Sequence, residues 1–207
     1  MKSKATSIFL AAALAALMLS AVFAGSAGAA PAWKFNGTTL TGSEKIVGGA
    51  ENSAMTISGL VTDCNNFLYG LSISNVSGTG QGSVTELPLF ECATDSEACT
   101  VDAIEAKKFP WAANLTTVSK VNYIVIKGVL VEVLYGGEEC VLGGWLVPVK
   151  GSAGGSIDNT TESATFSSAS FTATGTKLEA FGQGVTWNGF FPTEAFEWHR
   201  GEALTVE

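Results

Sequence analysis

From Trp33 onward, short runs of alternating apolar and polar residues, or of β-branched residues, are separated by clusters rich in glycine, and this patterning leaves little room for helices. Met55-Thr56-Ile57-Ser58 alternates, and Phe67, Tyr69, Leu71 and Ile73 keep the same period of two, which puts them on one face of a strand. Tyr123–Ile126 and Val129–Tyr135 are denser in β-branched residues and flank Lys127-Gly128, a pattern expected of a central hairpin covered on both faces. Cys140–Val149 reads as a further strand, with Gly143-Gly144 as a bulge or close backbone approach. Thr165-Phe166, Ser170-Phe171-Thr172 and Val185-Thr186-Trp187 read as short strands. Turns are expected at Gly78–Gly82, at Gly151–Gly155 and at Asn188-Gly189, whose aromatic neighbours make it the strongest hairpin signal. Gly151–Asn159 is the best candidate for a linker, better suited to a loop within one domain. Strands recurring roughly every ten residues predict an all-β chain, an antiparallel β-sandwich or flattened barrel. Val101–Phe109 and Thr193–Leu204 fit helix or strand equally well.

The first 29 residues have the three parts of a secretory signal peptide. Lys2 and Lys4 precede an apolar run from Ile8 to Ala24, and Gly25–Ala29 supplies small residues for a peptidase. Cleavage is expected between Ala29 and Ala30, which leaves 30–207 as a single all-β domain with no transmembrane segment. The expected location is secreted, extracellular or in the cell envelope. Cys64, Cys92, Cys99 and Cys140 are an even set bound for an oxidising compartment, so two disulfides follow. Cys92 and Cys99 flank a short polar stretch whose closure costs little chain entropy. They are expected to pair, leaving Cys64 to Cys140 by elimination.

Charge removes several function classes. The chain has 11 basic residues, two of them in the signal, against 19 acidic ones, and Arg200 is the only arginine. So acidic a surface excludes nucleic acid and anionic lipid as expected partners. One histidine and no cysteine pair at zinc spacing predict neither metal site nor cofactor. No G-x-S-x-G elbow is present, and the glycines at 78, 80 and 82 do not fit the dinucleotide fingerprint. Glu138-Glu139, and Asp158 with Glu162, read as solvated acids rather than catalytic or calcium-binding ones.

Aromatic residues carry the most informative signal. Trp33, Trp111, Trp145, Trp187 and Trp198, with Phe190 and Phe191, exceed what a modest core needs. Most should fill the interior, but sugar-binding β-domains expose rings on which the C–H faces of sugars stack. Trp187, Phe190 and Trp145 are the candidate ligand-binding residues, the first two because they flank Asn188-Gly189.

Cys64, the Gly78-Thr79-Gly80 turn, Cys92-x₆-Cys99, Pro110-Trp111 with Leu115, and a β-run into Glu139-Cys140 occur in that order. The order resembles a group of uncharacterised secreted proteins from soil actinobacteria, over Thr56–Val149. The resemblance implies export, two disulfides and a β-rich domain, and carries no activity. The expected function is therefore a non-enzymatic secreted or envelope protein, binding an extracellular glycan or cell-wall component through a sheet face or loop tips. The alternatives are a carboxylate-dependent glycoside hydrolase and a structural assembly protein, and the oligomeric state is left open.

Overall fold

The computed structural model describes residues 29–192 and 204–207, with the side chains of 50, 51 and 66–68 outside the description. Residues 1–28, on which the expected signal peptide falls, Trp198 and all of Thr193–Leu204 except Leu204 lie outside the described residues. In chain order the strands are β1 (Trp33–Phe35), β2 (Thr38–Thr39), β3 (Ser43–Ile57), β4 (Leu60–Val76), β5 (Thr79–Glu86) and β6 (Leu89–Thr94). They continue with β7 (Thr100–Ala106), β8 (Trp111–Val118), β9 (Val121–Gly136), β10 (Leu146–Asp158) and β11 (Ser163–Phe166). Helix α1 (Ser168–Thr174) precedes β12 (Leu178–Ala180), β13 (Gln183–Pro192) and β14 (Leu204–Val206).

The pairings close a circuit, and every one is antiparallel. β3 pairs β4, β4 pairs β5 and β6, and β5 pairs β8. β7 and β8 both pair β9, which pairs β10. β11 and β12 each lie between β10 and β13, and β13 returns to β3. Because β5 and β6 run in succession along β4, they act as one interrupted stave. β7 and β8 do the same along β9, as do β11 and β12 between β10 and β13. The result is an up-and-down barrel of eight staves, the flattened-barrel alternative of the sequence reading. At this strand number the interior is just wide enough for side chains to fill.

Two-residue hairpins with both central residues at positive φ drive the meander: Ser58-Gly59, Ser77-Gly78, Ser119-Lys120 and Phe181-Gly182. Such turns match the twist of the strands they join. At the end where β4 finishes and β9 begins, here the upper end, β14, β1 and β2 form a three-stranded cap. Asparagines tie the cap down. Asn75 accepts from the Trp33 N–H at 2.9 Å and donates to the Trp33 and Leu40 carbonyls, while Asn122 and Asn159 donate to the Val206 carbonyl. The core runs through the barrel and includes Ile57, Ile73, Val133, Val147 and Val149, none with measurable exposure.

Several expectations need correction. The run at Tyr123–Tyr135 is no hairpin, because β9 continues through it. Gly128, at φ +79, is skipped in the pairing with β10, so it acts as a bulge that bends the strand between its two partners, β8 and β7. Gly151–Asn159 is no linker, since Gly151–Asp158 belongs to β10. Its glycines admit neighbours instead: a Cβ on Gly155 would meet the Phe166 ring at 2.9 Å. Asn188-Gly189 lies within β13, and the turn falls at Phe181-Gly182. Residues 137–145 are turn and loop, so the strand expected from Cys140 starts only at Leu146. Ser170-Phe171-Thr172 is helical, because Ser167 and Ser170 form a reciprocal capping box and Gly175 ends the turn at φ +65. Val101–Phe109 resolves as the strand β7 up to Ala106.

The two disulfides join other partners than expected. Cys64 bonds Cys92, and Cys99 bonds Cys140. Register overrides loop entropy here. β6 lies along β4 with Cys92 directly opposite Cys64, their Cα atoms 4.0 Å apart. β7 lies along β9 with Thr100 opposite Gly136, which brings Cys99 to the loop that carries Cys140, at a Cα separation of 4.8 Å.

Candidate functional site

The three candidate aromatics occupy three different places. Trp187 points into the barrel and is 4% exposed, stacked on Phe166 with ring centroids 5.3 Å apart. Its indole N–H donates to Ser53 Oγ, so it is a core residue and is withdrawn as a ligand contact. Phe190 projects outward from β13 opposite Thr165, in the upper half of the wall, and is about half exposed. Trp145 stands at the lower rim with 62% of its surface exposed. Trp33, Trp111 and Phe191 are buried as Trp187 is, which accounts for most of the apparent aromatic surplus.

Trp145 is held by a compact loop. Gly143 N–H donates to the Cys140 carbonyl at 2.9 Å, Gly144 N–H to Tyr135 at 2.7 Å, and Trp145 N–H to Leu142 at 3.1 Å. The Cys99–Cys140 bond anchors the middle of this loop to the start of β7. Tyr135, beneath the loop, is fully buried and shares a hydrogen bond with the hydroxyl of buried Thr62. Burial pushes the Tyr135 phenol above its ordinary range, and the Thr62 hydrogen bond opposes that shift.

The turn between β12 and β13 reaches the same rim, because β12 is paired to the lower half of β10. Its tip residue, Phe181, is 55% exposed and meets Trp145 edge to face, with ring centroids 6.4 Å apart and planes at 84°. Val141 and Leu146 add exposed apolar surface beside them, and Glu138 and Glu139 are exposed carboxylates in the same loop. Two perpendicular rings with acids nearby offer apolar faces for C–H groups and acceptors for hydroxyls. Phe181 was not among the sequence candidates. The signal that places it is the Phe-Gly pair between apolar runs, a turn dipeptide that lifts the preceding residue to a hairpin tip.

Two concavities lie elsewhere in the barrel. Inside the barrel a cavity of about 60 Å³ is lined by apolar side chains including Trp33, Tyr69, Trp111, Phe166, Trp187 and Phe191. Ligand pockets commonly measure about 300–1,000 Å³, so this void is a packing gap. On the wall, a groove of about 370 Å³ runs between the β5–β6 junction and β7, lined by Leu87, Leu89, Ile104 and Phe109 with Glu86 and Glu105. Among the described residues no three His, Cys, Asp or Glu side chains come together as a metal site, and no helix is long and apolar enough to cross a membrane. No protein-family model, curated protein or solved structure matches the chain.

Proposed function

We propose that the protein is an exported, non-enzymatic binding module that holds an extracellular glycan or cell-wall component against Trp145 and Phe181. The observation that carries this reading is the rigid mounting of an exposed tryptophan. A large ring left in water on a loop fixed by five backbone hydrogen bonds and a disulfide loses little conformational freedom on binding. Two disulfides in the folded domain also fit export to an oxidising compartment.

The test is binding of the mature protein to a glycan array and to isolated cell wall. Trp145→Ala is expected to weaken binding at least about tenfold, consistent with loss of one stacking platform. Phe190→Ala, at another exposed ring but on a different part of the wall, is expected to leave it unchanged. A flat array together with no retention on cell wall ends the glycan reading.

One arrangement favours the hydrolase reading, namely the shared groove of Glu86 and Glu105, since glycosidases need only two carboxylates in a cleft. Release of reducing ends from a polysaccharide panel, abolished in Glu86→Gln or Glu105→Gln, would favour it over simple binding.

A further inference from the structure

Among the described residues two intervals of the barrel wall lack a full ladder: β13 pairs β3 only over Thr186–Asn188 and Ala54–Thr56, and no ladder joins β6 to β7. β5 pairs β8 in the upper half, but β6 pairs only β4 and β7 pairs only β9. Below the β5–β8 ladder, among the described residues, β6 and β7 therefore flank a seam that no ladder spans, although the two strands lie close at their lower ends. The two are consecutive in the chain and joined by residues 95–99, so an ordinary hairpin was available and did not form. At the lower end a side chain bridges the gap instead, with Thr94 Oγ1 donating to the Cys99 carbonyl at 2.7 Å. At the upper end the seam widens into the groove floored by Leu87, Leu89, Ile104 and Phe109.

We propose that this seam takes an extended, basic peptide segment as an added strand. Unpaired edges supply main-chain donors and acceptors for strand addition, and the apolar floor supplies pockets for alternate side chains. β6 and β7 run in opposite directions, so the incoming strand is antiparallel to one wall and parallel to the other. Charge selects the occupant. Glu86, Glu91, Glu97, Asp102 and Glu105 are all exposed on or beside the seam, and no lysine or arginine occurs between Lys45 and Lys107. Glu105 is ion-paired with Lys107 and Asp102 accepts from the Thr100 hydroxyl, which leaves the stretch strongly negative overall. A second copy of this chain would bring like charge to like charge and is disfavoured. The matching ligand alternates small apolar residues, directed to the floor, with lysines directed to the rim.

The experiment uses the mature protein with a capped peptide of alternating valine and lysine. Three controls accompany it: a block-ordered peptide of the same composition, an alternating valine–glutamate peptide, and the valine–lysine peptide N-methylated at alternate amides. Binding is read by calorimetry, and the site by amide hydrogen exchange. The alternating basic peptide is expected to bind and to slow exchange in 89–94 and 100–106. The N-methylated and acidic peptides are expected to bind at least tenfold more weakly, as is the parent peptide to Glu86→Lys/Glu105→Lys. Equal binding of the N-methylated or block-ordered peptide would reduce the effect to charge and overturn the proposal. So would protection centred on 138–146, or no binding at all. Trp145→Ala is expected to leave peptide binding unchanged, which keeps this outcome separate from that of the glycan reading.

Discussion

Trp187 donates its indole N–H to Ser53 Oγ at 2.7 Å, joining residues 134 positions apart across the β13–β3 pair that closes the barrel. Ser53 is itself 3% exposed, so each group is the other's means of avoiding an unpaired polar atom in the core. Ser53→Ala strands the indole N–H and is expected to cost about 1–3 kcal/mol. Trp187→Ala is expected to cost about 3–5 kcal/mol, because it also empties the stack against Phe166. Urea unfolding of the two variants measures both, and Ser53→Ala should retain any glycan binding, since the pair lies inside the wall.

The disulfides enclose loops of similar length, with sequence separations of 28 and 41. In the chain-entropy model each stabilises by about 3.5–4 kcal/mol, so removing either should lower stability by nearly the same amount. Their consequences for binding should differ. Cys99→Ser/Cys140→Ser frees the loop that mounts Trp145 and should weaken ligand binding, whereas Cys64→Ser/Cys92→Ser should not. Peptide mapping under non-reducing conditions checks the connectivity directly.

Alkaline pH should unfold the domain through its buried phenols. Burial raises the Tyr69 pKa far above its ordinary value, and that of Tyr135 less. The unfolded chain loses these protons from about pH 10, where the folded state still keeps them. The stability they contribute is complete below that pH and is lost as pH rises towards the folded values. Melting temperature should therefore hold steady up to about pH 9 and fall above about pH 10. Tyr69→Phe should flatten the fall while costing stability at neutral pH, because the Tyr69 hydroxyl donates to the Pro192 carbonyl. At the acid end Asp158 works in the opposite sense. The Thr160 backbone N–H, chief among its hydrogen bonds, lowers its pKa, so its small contribution is present above the unfolded value and lost as pH falls through the folded one.

Gly128 and Gly155 are expected to fail for different reasons. At Gly128 a side chain would meet nothing within 4 Å, but φ is +79, so Gly128→Ala should cost about 1–2 kcal/mol of backbone strain and Gly128→Asn less. At Gly155 the backbone carries no such restriction, but the new methyl presses on Phe166, for an expected overpacking cost of about 1–3 kcal/mol that Phe166→Leu partly relieves. Thermal unfolding of the single variants and of Gly155→Ala/Phe166→Leu separates the two mechanisms.

The all-β class was legible because period-two alternation survives in nearly every stave. The Met55, Ile57, Tyr69, Leu71 and Ile73 side chains all reach the core as the alternation requires. What misled was punctuation. Asn188-Gly189 has the composition of a hairpin turn, yet the inward positions at Trp187 and Phe191 require the strand to run straight through, and Gly189 is buried beneath the Phe191 ring. Ser58-Gly59 and Phe181-Gly182 are weaker dipeptides but make the actual turns. The disulfide pairing was out of reach for a related reason. It depends on β6 continuing along β4 after the Leu87-Pro88 break, a fact about register that no local spacing encodes. Of the candidate site only Trp145 was legible, since the exposure of Phe181 depends on where a two-residue turn falls.

The unpaired stretch between β6 and β7 gives the two mouths of the barrel different mechanical characters. Towards the upper mouth this side of the wall is set by the β5–β8 ladder beneath a three-stranded cap, so it cannot widen without breaking hydrogen bonds. Towards the lower mouth the interval between β6 and β7 is crossed by the turn at 95–99 and by the Thr94 hydroxyl, and no ladder dictates its width. On this side the lower wall can therefore breathe like a split collar, while the β5–β8 wall above it keeps a fixed spacing.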